Sequence, residues 1–349
     1  MPKHLPRICF AGPMIGRNPG RVTTQGEILS DHFRNIGYQV ICVSEHPNRY
    51  VRLFDIAWTI IRRRKEIDIL LIHIFGGPSF VVEDLASFLG RLFGLRTIML
   101  LQGGALPDFF ARWPNWTRRV LKRAHYFTAP STYLTKAIVP YGFQGHVYPN
   151  VIDLANYPYR LREKPEPKLF WMRTFHDIWN PLMAIRVLAK LRQHVPNATL
   201  VIAGQDKGLE EETKRLAQEL GVSDAVTFPG FLTLQRKIEF GTQADIYINT
   251  NRIDNMPVAV VEACAFGLPV VSTDIGGLPN LLTEGETGLF VKVDDDDAMV
   301  AAILRLLNDD ELAGKLSANG RKLAEQSSWE QVRTLWESLF DEAMNRPVK

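Results

Sequence analysis

Residues 254–290, DNMPVAVVEACAFGLPVVSTDIGGLPNLLTEGETGLF, place two carboxylates, Asp254 and Glu262, eight residues apart around the start of an apolar helix. Asn255 is a capping residue type, Pro257 suits a first helical turn, and Val258, Val261 and Ala265 share an apolar face. Glu262 then lies about two turns in, on the side of Asp254 and of the open amides of the helix start. A helix start offers unpaired N–H groups and a partial positive charge to a phosphate. Carboxylates beside it suit the hydroxyls of a ribose and of a sugar. A buried strand, PVVS, and a Gly-Gly-x-Pro turn follow. The alternative is a capped amphipathic helix on a parallel sheet, with Glu262 merely solvated.

Outward from this stretch, strands are expected at 169–172, 199–203, 226–228, 246–249, 269–272 and 289–291, with helices between and after them. The first half repeats the alternation, with strands at 8–11, 39–43, 69–74, 97–101 and 126–129 and helices at 25–36, 51–65, 82–93, 115–123 and 132–139. Between the halves, PNVIDLANYPYRLREKPEPK carries four prolines and a run of charges, the composition of a linker. The fold class is α/β: two Rossmann-like doubly wound domains, with ligand sites beyond the carboxyl ends of the strands and facing a central cleft.

The decisive stretch resembles the Glu-x7-Glu region of the retaining family 4 glycosyltransferases, which have the GT-B fold. MPVAVVEACAFGLPVV, GGLPN and TGLFV carry the resemblance, which is specific over residues 169–340 and looser before them. It implies residues 1–157 as an acceptor-binding domain, 158–328 as a nucleotide-sugar donor-binding domain, and a last helix over 329–345 crossing back onto the first. It also implies that Glu262 holds the nucleotide ribose and that the first acidic position touches the donor sugar. That position is Asp254, one methylene shorter than the usual Glu. Asn255, Met256, Pro257 and Val258 form the helix start beside the donor, with Gly204, Thr250 and Asn251 bordering the same pocket.

Arg173, in LFWMRTFHDIWNP, ends the first strand of the second half, where a guanidinium can grip a diphosphate or form a surface ion pair. The family places a Lys five or six residues later. Here Ile178, Trp179, Asn180 and Pro181 occupy that stretch, and Asn180 reads as an N-cap whose helix amides can take part of the phosphate. Arg17 or Arg21 are the candidates for compensating charge. Gly12, Gly16 and Gly20 lie between the first strand and first helix without a G-x-G-x-x-G fingerprint, which argues against an oxidoreductase. Gly16, Arg17, Gly20 and Arg21 resemble the family's glycine-rich loop, and the helix start after them favours an anion; a plain surface loop is the alternative. Gln102 and Gly103 stand where the family often has a His beside the transferred sugar. Asp108 and His73 complete the candidate acceptor side, each with a structural alternative: a turn residue for Asp108, a packed side chain for His73.

The chain of 349 residues carries a net charge of +3, but residues 1–155 hold 19 Lys and Arg against 10 Asp and Glu, so the positive charge belongs to the first half. It is grouped at Arg62, Arg63, Arg64 and Lys65 and at Arg118, Arg119, Lys122 and Arg123, after aromatic residues that include Phe54, Trp58, Trp113 and Trp116. Basic amphipathic helices with aromatic anchors suit a membrane surface; solvated faces with inward aromatics are the alternative. No nucleic-acid recognition motif accompanies the charge, so nucleic acid is not expected as a partner. Cys9, Cys42 and Cys264 lack metal spacing, and no metal site is expected; the aspartates at 294–297 read as a solvated cluster favourable to a helix start. The start MPKHLPRICFAG reads as a strand rather than a signal peptide, and no apolar run reaches membrane-spanning length. The expectation is therefore a cytoplasmic enzyme, at the inner face of the membrane if the basic helices bind it. It would need no cofactor beyond a UDP- or GDP-linked sugar and would act on a carbohydrate or lipid-linked acceptor. The rival readings are a degenerate GT-B nucleotide-binding protein without turnover and a nucleotide-sugar 2-epimerase.

Overall fold

A computed structural model describes residues 5–16, 18 and 23–345. The chain divides into two compact units, Met1–Val151 with Trp329–Lys349, and Ile152–Ser328. In the first, strands β1 (Ile8–Ala11), β2 (Val40–Val43), β3 (Ile69–Ile74), β4 (Arg96–Leu101), β5 (Tyr126–Ala129) and β6 (His146–Val147) form one sheet in the order β2-β1-β3-β4-β5-β6. All neighbours pair in parallel. Helices α1 (Gln25–Asn35), α2 (Arg49–Arg63), α3 (Phe80–Leu92), α4 (Leu106–Arg112), α5 (Pro114–Leu121) and α6 (Thr132–Lys136) connect them. Burial on both faces explains the unbroken apolar runs of β3 and β4. One face packs on α2 through Ile56 and Ile60 and on α3 through Ala86 and Leu89. The other packs on α1 through Leu29 and Phe33 and on the last helix of the chain (Trp329–Asn345) through Val332, Trp336, Leu339 and Phe340. The two-residue edge strand β6 and the short α4 have no counterpart in the sequence pattern, because neither is long enough to show a period.

The second unit holds β7 (Lys168–Met172), β8 (Thr199–Ala203), β9 (Val226–Thr227), β10 (Ile246–Asn249), β11 (Val270–Thr273) and β12 (Leu289–Val291). Their order, β12-β11-β10-β7-β8-β9, is again fully parallel. Helices α7 (Pro181–Leu191), α8 (Glu210–Glu219), α9 (Leu234–Gln243), α10 (Val258–Phe266), α11 (Leu278–Leu281), α12 (Asp296–Asn308) and α13 (Asp310–Glu325) complete it, and the helix Trp329–Asn345 is α14. The order reverses between β7 and β10, and in such sheets the crevice at the reversal, beyond the strand ends, is the place for a ligand. In the first unit the corresponding reversal lies between β1 and β3.

Helix α10 corrects three expectations. It begins at Val258 with Pro257 at the cap position and no side-chain cap, so Asn255 does not cap it. Met256 precedes a proline, which disfavours helical backbone there and delays the start. Ala259–Phe266 are buried all round rather than on one face, and Glu262 lies about one turn in. The close packing of α13 contributes: a Cβ on Gly320 would lie 3.4 Å from the Cys264 sulfur. Glu262 is therefore a buried carboxylate, not a solvated one.

Candidate active site

The reversal in the second unit brings Arg173, after β7, to Asp254, after β10. Their side chains form an ion pair, both mostly buried. The Arg173 guanidinium also stacks on Trp179, 3.9 Å from the ring centroid. Trp179 belongs to a short 3-10 turn, Asp177–Trp179, in the stretch where a Lys was missing. An aromatic face thus steadies the guanidinium there. Asp254 accepts further hydrogen bonds from the Asn255 N–H at 2.8 Å and the Asn251 side-chain amide at 2.6 Å. Burial pushes its pKa above the usual carboxylate value, against the opposing pull of Arg173, Asn255 and Asn251. The Nε of Arg173 and the side-chain oxygens of Asn249 and Asn251 are buried without a hydrogen-bond partner among the described residues.

Two close approaches fix this corner. A Cβ on Gly276 would lie 2.0 Å from the Asp254 carbonyl oxygen, and one on Gly277 would lie 2.1 Å from that of Asn255. The Gly-Gly-x-Pro turn is thus the surface against which the Asp254 segment is pressed. Gly204 plays the same part behind Arg173, where a Cβ would lie 1.6 Å from the Arg173 carbonyl oxygen.

Glu262 has separate partners. Its Oε1 accepts from the Tyr157 hydroxyl at 2.7 Å and from Lys237 Nζ, on α9, at 2.6 Å. Burial, then the charge of Glu262, pushes the Tyr157 phenol far up. Burial pushes the Tyr247 phenol up, against the pull of Arg173, and its hydroxyl donates to the Met172 carbonyl at 3.3 Å.

Thr250 and Asn180 brace the site from below. The Thr250 hydroxyl accepts from Trp171 Nε1 and lies 2.9 Å from the carbonyl oxygens of Trp179 and Asn180. Asn180 adopts a left-handed conformation, φ 53°, and its side chain donates to Asp294 at 2.8 Å instead of capping α7. Such a backbone turn is tolerated by Asn, and it aims the amide away from the helix amides. The aspartates at 294–297 are accordingly not simply solvated. Asp294 also holds Arg252, Asp295 caps α12, Asp296 pairs with Arg186, and Asp297 with Lys190. Two further candidates, Met256 and Asn255, lie buried at the approach to α10.

In the first unit, Gly16 donates its N–H to both carboxylate oxygens of Glu27, at 2.8 and 3.0 Å. Glu27 also closes a capping box with Thr24 at the start of α1. The anion at that helix start is therefore the protein's own Glu27. Arg17, Gly20 and Arg21 lie outside the described residues. His73 is buried beneath Gly12 and Gly26; a Cβ on Gly26 would lie 2.7 Å from its ring. Burial lowers its pKa to about 4, which leaves the ring neutral at ordinary pH. The N–H groups of Gln102 and Gly103 donate to the Ile74 carbonyl, and Asp108 is exposed in the first turn of α4. Sequence reasoning missed Lys237, Tyr157, Trp179 and Glu27. Only Glu27 carried a signal, the Thr-x-x-Glu spacing of a capping box.

Residues 160–323 match the family described as Glycosyl transferases group 1. The match lies wholly within the second unit. Among curated relatives, the chain is 32% identical over 149 residues to a GDP-mannose-dependent alpha-(1-6)-phosphatidylinositol monomannoside mannosyltransferase of Mycolicibacterium smegmatis, covering 41% of this chain and 39% of that one. It is 31% identical over 168 residues to a D-inositol 3-phosphate glycosyltransferase of Corynebacterium efficiens, covering 47% and 40%. The matched region thus spans about two fifths of these curated relatives. Solved structures resemble the whole chain. Sucrose-phosphate synthase from Thermosynechococcus elongatus superposes with a TM-score of 0.78 at 16% identity, over 97% of this chain and 98% of that one. Anabaena HepE in complex with UDP and glucose gives 0.74 at 15% identity, over 96% and 100%. The chain therefore has the GT-B fold, two six-stranded parallel sheets each flanked by helices.

Proposed function

We propose that the protein is a glycosyltransferase that moves a sugar from a nucleoside diphosphate sugar to an acceptor hydroxyl, with retention of anomeric configuration and without a metal. The observation that carries this reading is the Arg173–Asp254 ion pair just ahead of the α10 N-terminus at the reversal of strand order, with Glu262 about one turn into that helix. Arg173 and the open N–H groups of α10 stabilise the departing diphosphate, where negative charge grows in the transition state. Glu262, held by Tyr157 and Lys237, fixes the ribose hydroxyls. Asp254 orients the donor sugar. A bound diphosphate competes with Asp254 for Arg173 and so couples donor binding to the placement of that carboxylate. The bond from the anomeric carbon to phosphate oxygen breaks, and the acceptor oxygen bonds to that carbon on the same face. The acceptor proton passes to the departing phosphate.

The two-unit GT-B fold supports assigning residues 158–328 to the donor and the first unit to the acceptor, a carbohydrate or lipid-linked carbohydrate. The name of the Mycolicibacterium relative, a phosphatidylinositol monomannoside mannosyltransferase, favours the lipid-linked class. A 2-epimerase would need acid–base groups; of its two candidates His73 is buried behind Gly12 and Gly26, and Asp108 is exposed in the first turn of α4.

The test is thermal stabilisation by UDP, GDP, ADP, dTDP and CMP, with and without EDTA, followed by product analysis with the donor of the best nucleotide. A ligand at a hundred times its Kd adds about 2.7 kcal/mol. One diphosphate standing out in EDTA, and a product of unchanged anomeric configuration, is the expected result. Binding without any transfer would convert the reading to a nucleotide-binding protein, and no binding would overturn it.

A further inference from the structure

Helices α2 and α3 lie side by side on one face of the first sheet and run in the same direction, since each joins consecutive parallel strands. Their inner residues fill the core, and their outer faces are unusual. The twelve exposed residues of the two helices are Arg49, Tyr50, Val51, Phe54, Trp58, Ile61, Arg62 and Arg63 on α2, with Val81, Phe88, Arg91 and Leu92 on α3. Every one is a large apolar or aromatic residue or an arginine. On α3 the positions 81, 88 and 92 fall on a single stripe opposite the buried Glu83, Ala86 and Gly90. On α2 the positions 50, 54, 58 and 61 do the same. Phe54 is 74% exposed, and Trp58 and Leu92 are each 61% exposed.

The charges lie at the edges of these stripes. Arg62 lies over the Trp58 ring, 6.0 Å from its centroid, and Arg49 over Tyr50 at 5.5 Å. At the carboxyl end of α2, Arg64 reaches the Phe93 ring that follows α3, at 5.4 Å, which brings Arg62–Lys65 and Arg91 to one end of the pair. Of the neighbouring acids, Glu66 pairs with Arg63 and Asp84 with Arg119 and Arg123, while Asp55 on α2 is half-buried beside the stripe.

We infer that the α2–α3 face docks on an anionic lipid surface. Phe54, Trp58, Phe88 and Leu92 enter the boundary between headgroups and acyl chains, and the arginines at the stripe edges meet lipid phosphates. A protein interface also favours aromatic residues and arginine, but a second copy of this face would set arginine against arginine. The exposed charges of the two helices are all positive, and alternation of arginine with aromatic side chains matches the two layers of an anionic bilayer surface. No helix among the described residues is long and apolar enough to cross a membrane, so the contact is lateral. The inference stands on this surface alone and is read without donor or acceptor, so its failure and that of the glycosyl-transfer reading are distinguishable.

The test is cosedimentation of the full chain with phosphatidylcholine vesicles, with and without phosphatidylglycerol, alongside light scattering. Binding to the anionic vesicles is expected, weakened about tenfold by Phe54→Ser with Trp58→Ser, and similarly by Arg62→Glu with Arg63→Glu. Brominated lipid should quench fluorescence in the parent and less in Trp58→Phe. The melting temperature of each variant should match the parent, because all these side chains are exposed. Absence of vesicle binding would overturn the inference, as would binding insensitive to both pairs of changes. A dimer that Phe54→Ser with Trp58→Ser converts to a monomer, without vesicle binding by the parent, would assign the face to self-association.

Discussion

The two sheets share a plan but fill their reversals of strand order differently. Between β7 and β10, in the second unit, the crevice holds Arg173 against Asp254 and Trp179, with Glu262 and Lys237 nearby. Between β1 and β3, in the first unit, it holds the neutral ring of His73 beneath glycines, and the α1 N-terminus is taken by Glu27. Both crevices hold buried hydrogen-bonding atoms without a partner among the described residues, His73 Nε2 in the first and Arg173 Nε in the second, but only the second sets a guanidinium against a carboxylate, whereas the first sets a neutral ring beside an internally satisfied cap. The same topology supplies a place for a ligand twice, and the side chains at the strand ends decide which place has chemistry.

The largest expected effect tests that contrast. Arg173→Ala should lower turnover about 10²–10³-fold and nucleotide affinity less, read as kcat and donor Kd side by side. Transfer at the parental rate would remove the distinction between the two crevices. Next, Gly103→Ala and Gly277→Ala should each cost about 2–4 kcal/mol in urea unfolding, because a Cβ at Gly103 would lie 2.2 Å from the Phe75 carbonyl oxygen, much as at Gly277. Similar losses would show that close backbone approach is common to both units while charge is not. Glu262→Ala should weaken nucleotide binding about 10–100-fold by calorimetry, with Lys237→Met weakening it less. Equal affinity in both would detach this cluster from the donor.

The smallest effect belongs to the first unit. Burial raises the pKa of Glu83 to about 8, against the N–H groups of Phe75 and Gly76 that favour its charged form. Its stabilising contribution is full below the ordinary glutamate value of 4.5 and is lost as pH rises toward 8. His73 acts in the opposite sense: its contribution is present above 6.5 and is lost as pH falls toward 4. The two slopes oppose each other between 4.5 and 6.5, so the loss due to Glu83 should show above that range, at about 1–2 kcal/mol from pH 6.5 to 8. Glu83→Gln should flatten that segment of the stability curve.

Much of the fold was legible because buried parallel strands are written as short apolar runs. Strands 8–11, 69–74, 126–129, 199–203, 246–249 and 289–291 fall where the runs place them. The two-residue β6 and the seven-residue α4 were not legible, since neither spans enough residues to display a period. At the site, the glycines of GGLPN were legible as a turn, but what they press against was not. Asn180 stands at the N-cap position before Pro181 as read, but its side chain makes no cap hydrogen bond, and Asn255 was misread as a cap. Left-handed backbone turns one away, and the residue before Pro257 holds the other outside the helix.

By itself the sequence determined the α/β alternation, the motif that unites Asp254, Glu262 and the glycine turn, and the basic aromatic character of the first half. These are local properties, carried by period, spacing and composition. Only the tertiary structure decided that Trp179 occupies the face of Arg173, that Lys237 and Tyr157 hold Glu262 from 25 and 105 residues away, and that the stripes of α2 and α3 adjoin. Those partners come from separate elements of the sheet, and no local pattern encodes which side chains a parallel crossover will set side by side.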